Sequence, residues 1–173
     1  MRSIYLILAI LLLACRRNAP QPGKVEAIDC LYADPIPAEP ADTLRPDSLV
    51  AFAQSLLGKP YSYGCSSPST GFDCSGFIGY VFGHFGIRVP RSSVDFTNEG
   101  TEIPLSEARP GDLILFTGTN SSIRTVGHIG MIMANDSAGI RFIHSSSGRE
   151  DAVIITSLNE RYMERFVKVI RML

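Results

Sequence analysis

Proline distribution divides this 173-residue chain into a segment that cannot form a core and a segment that can. Six of the 11 prolines lie between residues 16 and 46, where they favour extended, polyproline-like backbone and prevent hydrophobic packing. Residues 47–173 remain, and they are long enough for one compact domain. We therefore predict a proline-rich linker over 16–46 and a single folded domain over 47–173.

The first 15 residues are typical of a bacterial lipoprotein signal peptide. Arg2 precedes an apolar run from Ile4 to Ala14, which is shorter than the roughly 20 residues that a membrane-spanning helix needs. The run ends at Leu12-Leu13-Ala14-Cys15, which resembles a lipobox. Cys15 is therefore the expected lipidation site, with palmitate among its acyl chains. The alternatives are an ordinary signal peptide, or a short apolar tail with an accidental cysteine.

A lipidated Cys15 would place the domain in the cell envelope, tethered to a membrane through the linker. More than one acyl chain is enough for stable anchoring. Arg16 and Arg17 follow the cysteine, with no aspartate to indicate inner-membrane retention in a Gram-negative cell. The outer membrane is therefore the favoured location.

The charge and the cysteine pattern argue against a nucleic-acid-binding protein and against a metalloprotein. The formal net charge is −1 and basic residues are mixed with acidic ones, so nucleic acid is not an expected partner. The cysteines at 15, 30, 65 and 74 form neither a C-x-x-C pair nor a zinc pattern with the histidines, so no metal or other cofactor is expected. We expect a monomer. A secreted location permits a Cys30–Cys65 disulfide, with two free thiols as the alternative.

The run from Gly71 to Phe77 places a cysteine at the start of a predicted helix. Asp73 is a good N-cap because its carboxylate can accept the unpaired N–H groups of the first turn. A thiol in that turn feels the positive end of the helix dipole, which favours the thiolate. Cys74 is therefore a candidate nucleophile. The apolar stripe of the helix consists of Phe77, Ile78, Val81 and Phe85.

The rest of the domain is predicted to form helices first and strands afterwards. Apolar periodicity predicts a helix over Asp47–Leu57, and Gly86 is expected to end the Cys74 helix. A short helix is expected within Ser92–Glu99, and Ser157–Glu160 fits the capping box of another. This order indicates an α+β domain with N-terminal helices packed on a central antiparallel sheet. The predicted strands cover 113–116, 128–134, 140–144, 152–156 and 165–171.

Two of the three histidines lie on strands that flank a strong turn signal, Asn135–Gly139. If the hairpin tip is centred on Asp136, His128 and His144 are equally far from it and lie opposite each other on one face. The pairs Gly130–Phe142 and Ile132–Ile140 would share that face, whereas a slip of one residue would separate the two histidines. The remaining histidine, His84, is on the Cys74 helix about three turns away, and it cannot reach the thiol.

These side chains suffice for acyl transfer from an amide to water. Cys74 would attack the carbonyl, and His128 would take the thiol proton and later protonate the leaving amine. His144 would orient His128 and stabilise its charged form, as a carboxylate does in a serine triad. Backbone N–H groups at the start of the helix are natural oxyanion donors.

The segment from 47 to 173 resembles the NlpC-type cysteine peptidases, a bacterial cell-wall endopeptidase family with a compact papain-like fold. Six blocks agree in order and spacing: GKPYSYG at 58–64, FDCSGF at 72–77, VPRSS at 89–93, PGDL at 110–113, GHIGM at 127–131 and FIHS at 142–145. The resemblance implies catalytic roles for Cys74, His128 and His144. It also places Tyr61, Asp73 and Ser75 at the substrate groove, and Arg91 and Asp112 in turn and packing roles.

The resemblance implies peptidoglycan stem peptides as substrates, commonly cut between γ-D-glutamate and the diamino acid, often meso-diaminopimelate. The chain departs from the family pattern at Cys65, where a second glycine is common and would allow backbone angles that cysteine tolerates less well. Two other functions stay open. One is a non-catalytic envelope protein on the same fold, and the other is a papain-like amidase or acyltransferase with another substrate.

Overall fold

A computed structural model describes residues 46–173 of the chain. The predicted signal peptide with Cys15, the linker up to residue 45 and Cys30 lie outside the described residues. Within residues 46–173, no helix combines the length and the apolar character needed to cross a membrane.

Helices and short strands come first in the chain, and the long strands follow. Helix α1 (Pro46–Ser55) leads through β1 (Ser66–Ser67) and β2 (Gly71–Phe72) to α2 (Cys74–His84). Two 3₁₀ helices, Ser93–Asn98 and Leu105–Glu107, flank β3 (Thr101–Ile103). The later elements are β4 (Leu113–Thr117), β5 (Val126–Asp136), β6 (Gly139–Ser146), β7 (Ala152–Ser157), α3 (Glu160–Arg165) and β8 (Phe166–Arg171).

A six-stranded antiparallel sheet in the order β3-β8-β4-β5-β6-β7 forms the centre of the domain. One face packs on α1 and α2 through Leu115, Ile129 and Ile143. The other face buries Phe116 and Phe142 beneath the α3 segment. Every residue of β4 is buried, because helices cover this strand on both faces. The predicted α+β arrangement of helices on an antiparallel sheet is confirmed.

The predicted elements are present, with shifted ends and one wrong cap. Residue Asn159, not Ser157, is the N-cap of α3, and its side chain accepts the N–H of Tyr162 at 3.2 Å. Ser157 cannot start the helix because its backbone is paired with Arg141 as the last residue of β7. The short strands β1, β2 and β3 were not predicted, since two or three residues carry too little periodicity.

The hairpin register differs from the prediction, yet the two histidines still share a face. The tip closes with Asp136 opposite Gly139, and Ile132 pairs with Phe142 rather than Ile140. Gly130 therefore does not pair with Phe142; a Cβ placed on it would lie 3.2 Å from the His144 Cβ, consistent with Gly130 opposite His144. His128 and His144 are thus diagonal neighbours, not directly opposed. A β-bulge at Met133 restores the alternation that the shifted tip alone would have reversed.

Candidate active site

Cys74 is the first residue of α2, and Asp73 caps the helix as predicted. The Asp73 Oδ1 accepts the N–H of Gly76 at 2.6 Å. Arg91 donates to both carboxylate oxygens, at 3.0 and 2.7 Å, and the N–H of Gly64 donates to Oδ2 at 3.0 Å. This one buried carboxylate therefore joins three chain segments around the thiol. The turn and packing role expected for Arg91 stays a prediction.

The loop before α2 is attached to the strand that carries His144. The Ser145 hydroxyl donates to the buried carbonyl of Phe72 at 2.7 Å, and the N–H of Asp73 donates to the Cys65 carbonyl at 2.9 Å. Because Ser145 follows His144, this hydrogen bond sets the distance between the cysteine helix and the histidine strands.

Cys65 does not distort this loop. Among residues 46–173, Asp151 is the only non-glycine residue with a positive φ, so the departure from glycine at Cys65 needs no left-handed backbone. Cys65 is fully buried and disulfide-bonded. Cys30 lies outside the described residues, so the Cys30–Cys65 pairing stays a prediction.

The Cys74 thiol lies beside β5, where the backbone N–H of Ile129 hydrogen-bonds to it. Ile129 follows His128, so the thiol lies against the strand that carries the imidazole. Burial raises the pKa of the Cys74 thiol and the Asp73 carboxylate raises it further, whereas the nearby N–H groups lower it without compensating. Burial and the Asp73 carboxylate therefore oppose the thiolate that the helix start was expected to favour.

His128 and His144 form a hydrogen-bonded pair that continues to a third side chain. Nε2 of His128 lies 2.8 Å from Nδ1 of His144, with the ring planes at 82°. Nε2 of His144 lies 2.9 Å from Oγ1 of Thr156 on β7. His144 is fully buried. The sequence did not predict a role for Thr156. The one signal for it is a hydroxyl side chain on β7, two residues after Ile154.

Proton positions in this chain follow from the chemistry. For Nδ1 of His128 to accept the thiol proton, the neutral ring must carry its own proton on Nε2, which then donates to Nδ1 of His144. His144 must therefore carry its proton on Nε2 and donate it to Thr156 Oγ1. Within residues 46–173 no hydrogen bond occupies Nδ1 of His128. This nitrogen is thus the one available to the thiol.

Both histidines are neutral at pH 7. Burial lowers the pKa of His144 to about 3, with a further contribution from the positive charge of Arg165. Burial also lowers the pKa of His128 well below its ordinary value, with His144 and Arg165 adding to the effect. A neutral His128 is the form that can act as a base.

A second β-bulge aims His128 towards the site. The β4–β5 register shifts after the Phe116–His128 pair, which leaves Gly127 as the extra residue. A Cβ on Gly127 would lie 2.8 Å from the backbone of Gly118, so this position has room only for glycine. Bulges beside active sites commonly redirect a side chain in this way.

Two adjacent clefts begin at Gly127 and His128. The Cys74 cleft, of about 440 Å³, is lined by Tyr61, Asp73, Cys74, Ser75, Arg91 and Gly127. The His128 cleft, of about 400 Å³, is lined by Thr119, His128, Ser147, Arg149, Arg161 and Arg165. Gly127 lines the first cleft and His128 the second, so the two clefts meet near the start of β5.

The sequence profile of the NlpC/P60 family matches residues 58–172, a range that contains Cys74, both histidines of the pair and Thr156. The chain belongs to the NlpC/P60 family. Its domain is similar to a crystallised NlpC/P60 family protein from Bacillus cereus, with a TM-score of 0.68 and 30% identity over 77% of this chain and 42% of the other. The expected papain-like fold is thereby confirmed.

Curated relatives of this NlpC/P60 domain include two named hydrolases. The "Gamma-DL-glutamyl hydrolase" of Bacillus subtilis is 36% identical over 79% of this chain, and the "Murein DD-endopeptidase MepH" of Escherichia coli is 38% identical over 63%. The matched regions make up only 31% and 39% of those two proteins.

The three residues predicted to form the substrate groove all line the Cys74 cleft of the NlpC/P60 domain. The Tyr61 hydroxyl is hydrogen-bonded to Ser147, and burial raises the pKa of Tyr61, with Cys74 adding to the effect. The Ser75 hydroxyl donates to Asp73 Oδ1 at 3.3 Å. Since these polar atoms already bond within the protein, binding roles for Tyr61, Asp73 and Ser75 stay predictions.

The other polar residues singled out lie away from the thiol. His84 stacks on Phe52 with ring centroids 3.7 Å apart. Asp112 accepts two hydrogen bonds from Arg171, at 2.8 and 2.7 Å, which matches its expected packing role. In the part of the NlpC/P60 chain that the structure describes, no three His, Cys, Asp or Glu side chains are grouped to hold a metal ion.

Proposed function

We propose that this NlpC/P60 protein is a cysteine endopeptidase that hydrolyses peptidoglycan stem peptides. The observation that carries the proposal is the geometry around the thiol. Cys74 stands at a capped helix start beside the Ile129 N–H, and the hydrogen-bonded chain His128–His144–Thr156 supports the base. The hydrolase and endopeptidase names of the relatives agree with this reaction class.

The reaction starts from a neutral thiol and a neutral imidazole. As Cys74 Sγ attacks the carbonyl carbon, its proton moves to Nδ1 of His128, and the imidazolium is stabilised through Nε2–H donation to His144. Backbone N–H groups at the start of α2 hold the oxyanion. His128 then protonates the leaving nitrogen as the C–N bond breaks, which leaves a thioester on Cys74. Water, deprotonated by His128, attacks the thioester carbon; the C–S bond then breaks, the acid is released, and the proton on His128 returns to Cys74 Sγ.

The bond that we propose lies between γ-D-glutamate and the diamino acid of the stem peptide. Two observations support it: the motif blocks around Cys74 and His128, and the γ-glutamyl specificity named in the Bacillus subtilis relative. The "DD-endopeptidase" name of the Escherichia coli relative makes the cross-link between two stem peptides the second candidate.

We also propose that the protein is a monomer anchored by lipid on Cys15, in the outer membrane, with residues 16–46 as a spacer. Supporting this are the apolar run that ends at Cys15 and the prolines that follow. Labelling cells with radioactive palmitate tests the anchor. The wild-type protein should carry label in the membrane fraction and Cys15→Ser should carry none; equal labelling of the two would refute the anchor.

Digestion of purified muropeptides tests the activity. The wild-type protein should release a new diamino-acid amine, detected by mass spectrometry, and Cys74→Ala should release none. His84→Gln, which changes a histidine outside the site, is the matched control and should retain cleavage. A substrate panel with cross-linked and uncross-linked peptides separates the two candidate bonds. Equal product from wild type and Cys74→Ala, or no product from the wild type, would refute the proposal.

A further inference from the structure

The His128 cleft carries an excess of positive charge that the catalytic chemistry does not use. Three guanidinium groups line it, those of Arg149, Arg161 and Arg165, against one carboxylate, that of Glu150. Within residues 46–173, none of the three arginines takes part in an ion pair. Unpaired arginines beside a reaction centre are suited to bind carboxylates through charge-assisted hydrogen bonds.

The three arginines are not equivalent. Arg165 is partly buried and already donates to the carbonyls of Gly118 and Thr117, at 2.8 and 3.0 Å. Arg149 and Arg161 are exposed, and neither has a hydrogen bond to another described residue. Their guanidinium groups are therefore available to a ligand in the cleft, whereas that of Arg165 holds the end of β4.

The direction of the substrate across the site decides what enters this cleft. The leaving nitrogen must take its proton from His128, so it lies on the His128 side of the scissile bond. The acyl carbon is bonded to Cys74, so the acyl part of the substrate occupies the Cys74 cleft. The residue that supplies the leaving amine therefore extends into the His128 cleft, where Arg149 and Arg161 lie.

We infer that the His128 cleft is a carboxylate subsite for the residue that supplies the leaving amine, with Arg161 and Arg149 as its ligands. This inference rests on the proposed function. Diaminopimelate fits the chemistry because it carries a carboxylate at the far end of its side chain. A γ-linked glutamyl chain fits as well, because each residue carries a free carboxylate.

Matched substrates test the subsite with the full-length protein. One pair is a γ-D-glutamyl–diaminopimelate peptide with the side-chain carboxylate free or amidated, which removes the charge and keeps the shape. A second pair is a γ-linked glutamyl oligomer with free or amidated carboxylates. The wild type should prefer the free form by about tenfold in kcat/KM, the effect of one charge-assisted hydrogen bond. The pair that shows the preference identifies the source of the carboxylate.

Substitutions then assign the preference to the arginines. Arg161→Gln and Arg149→Gln should each reduce the ratio of kcat/KM between free and amidated substrate, and the double variant should bring it close to one. Arg141→Gln, at the hairpin tip where it pairs with Asp136, is the matched control and should keep the wild-type ratio.

The outcomes separate this inference from the proposed function. Cleavage of free and amidated substrates with equal kcat/KM would overturn the subsite and leave the endopeptidase in place. An unchanged ratio in the double variant would also overturn it. No cleavage of any stem peptide by the wild type would instead refute the proposed function.

Discussion

Single side chains decide which proton goes where in this site. The residue types alone indicate a thiol and an imidazole, but Nε2 of His128 donates usefully only if His144 presents an unprotonated Nδ1. The Thr156 hydroxyl, 2.9 Å from Nε2 of His144, can accept the Nε2 proton in that tautomer. Thr156 is thus a positioning residue that acts through two imidazoles.

Thr156→Val keeps the shape of the side chain and removes the acceptor. Loss of one hydrogen bond of about 1 kcal/mol should lower kcat about fivefold. Because valine keeps the shape of the Thr156 side chain where it lines the His128 cleft, KM should change less than kcat. Thr156→Ser restores the hydroxyl and should recover most of the rate. Equal rates for the valine and serine variants would contradict the role.

The thiol itself gives a second test, based on its pKa. Because burial raises the pKa of Cys74 and lowers that of His128, the free protein should not contain a preformed thiolate–imidazolium pair. Alkylation of Cys74 by iodoacetamide, followed by mass spectrometry of its peptide, should be slow at pH 6 and still rising at pH 9. A rate that is already constant across acidic pH would show that the ion pair exists.

Strand irregularities, not regular strands, bring these side chains together. The bulge at Gly127 redirects His128, and the bulge at Met133 returns His128 and His144 to one face of the sheet. Opposite His144, Gly130 leaves space for the Phe142 ring; a Cβ there would lie 2.7 Å from Phe142 Cδ2. The β5–β6 hairpin is therefore closely packed around His144.

Gly130→Ala should destabilise the domain and disturb His144. The added methyl group must displace the ring of Phe142, and overpacking of this kind costs about 1–3 kcal/mol. Gly79→Ala is the matched control. Gly79 is in α2, and a Cβ added there would meet only open space, so alanine should stabilise the helix by about 0.5–1 kcal/mol. Chemical denaturation measures both changes, and equal effects of the same sign would contradict this account.

For the domain as a whole, the two histidines of the site make the free energy of unfolding depend on pH. Folding encloses two neutral imidazoles between the sheet and α3, and the pKa of His144 falls to about 3. Below about pH 6.5 the unfolded chain binds protons that the folded domain does not. The free energy of unfolding therefore decreases as the pH falls from about 6.5 towards 3.

Denaturation at pH values between 6.5 and 5 measures this dependence in a range that lies above the ordinary pKa values of carboxyl groups. Fully buried His144 should contribute a slope of up to about 1.4 kcal/mol per pH unit, and half-buried His128 should add to it. His144→Asn removes one of the two and should give a shallower slope, whatever its absolute stability. His84→Gln is the matched histidine control. An undiminished slope in His144→Asn would contradict the neutral buried pair.

Local sequence patterns were sufficient to predict much of the fold of this domain. Capping and apolar periodicity predicted α2 with Cys74 at its start, and turn signals around Asn135–Gly139 predicted the hairpin that carries the histidines. The α+β class followed from the order of these elements. All of these features depend on residues near each other in the chain, where steric and hydrogen-bonding preferences are strong.

Tertiary structure alone decided the register, the tautomers and the charges. The bulges at Gly127 and Met133 and the contact of Thr156 with His144 depend on pairing between separate strands. The raised pKa of Cys74 depends on burial and on the Asp73 carboxylate, which oppose the helix-start effect expected from the sequence. The sequence thus determined which groups could react. Their protonation and the arginine-lined cleft beside them depend on packing between distant segments, which no local pattern encodes.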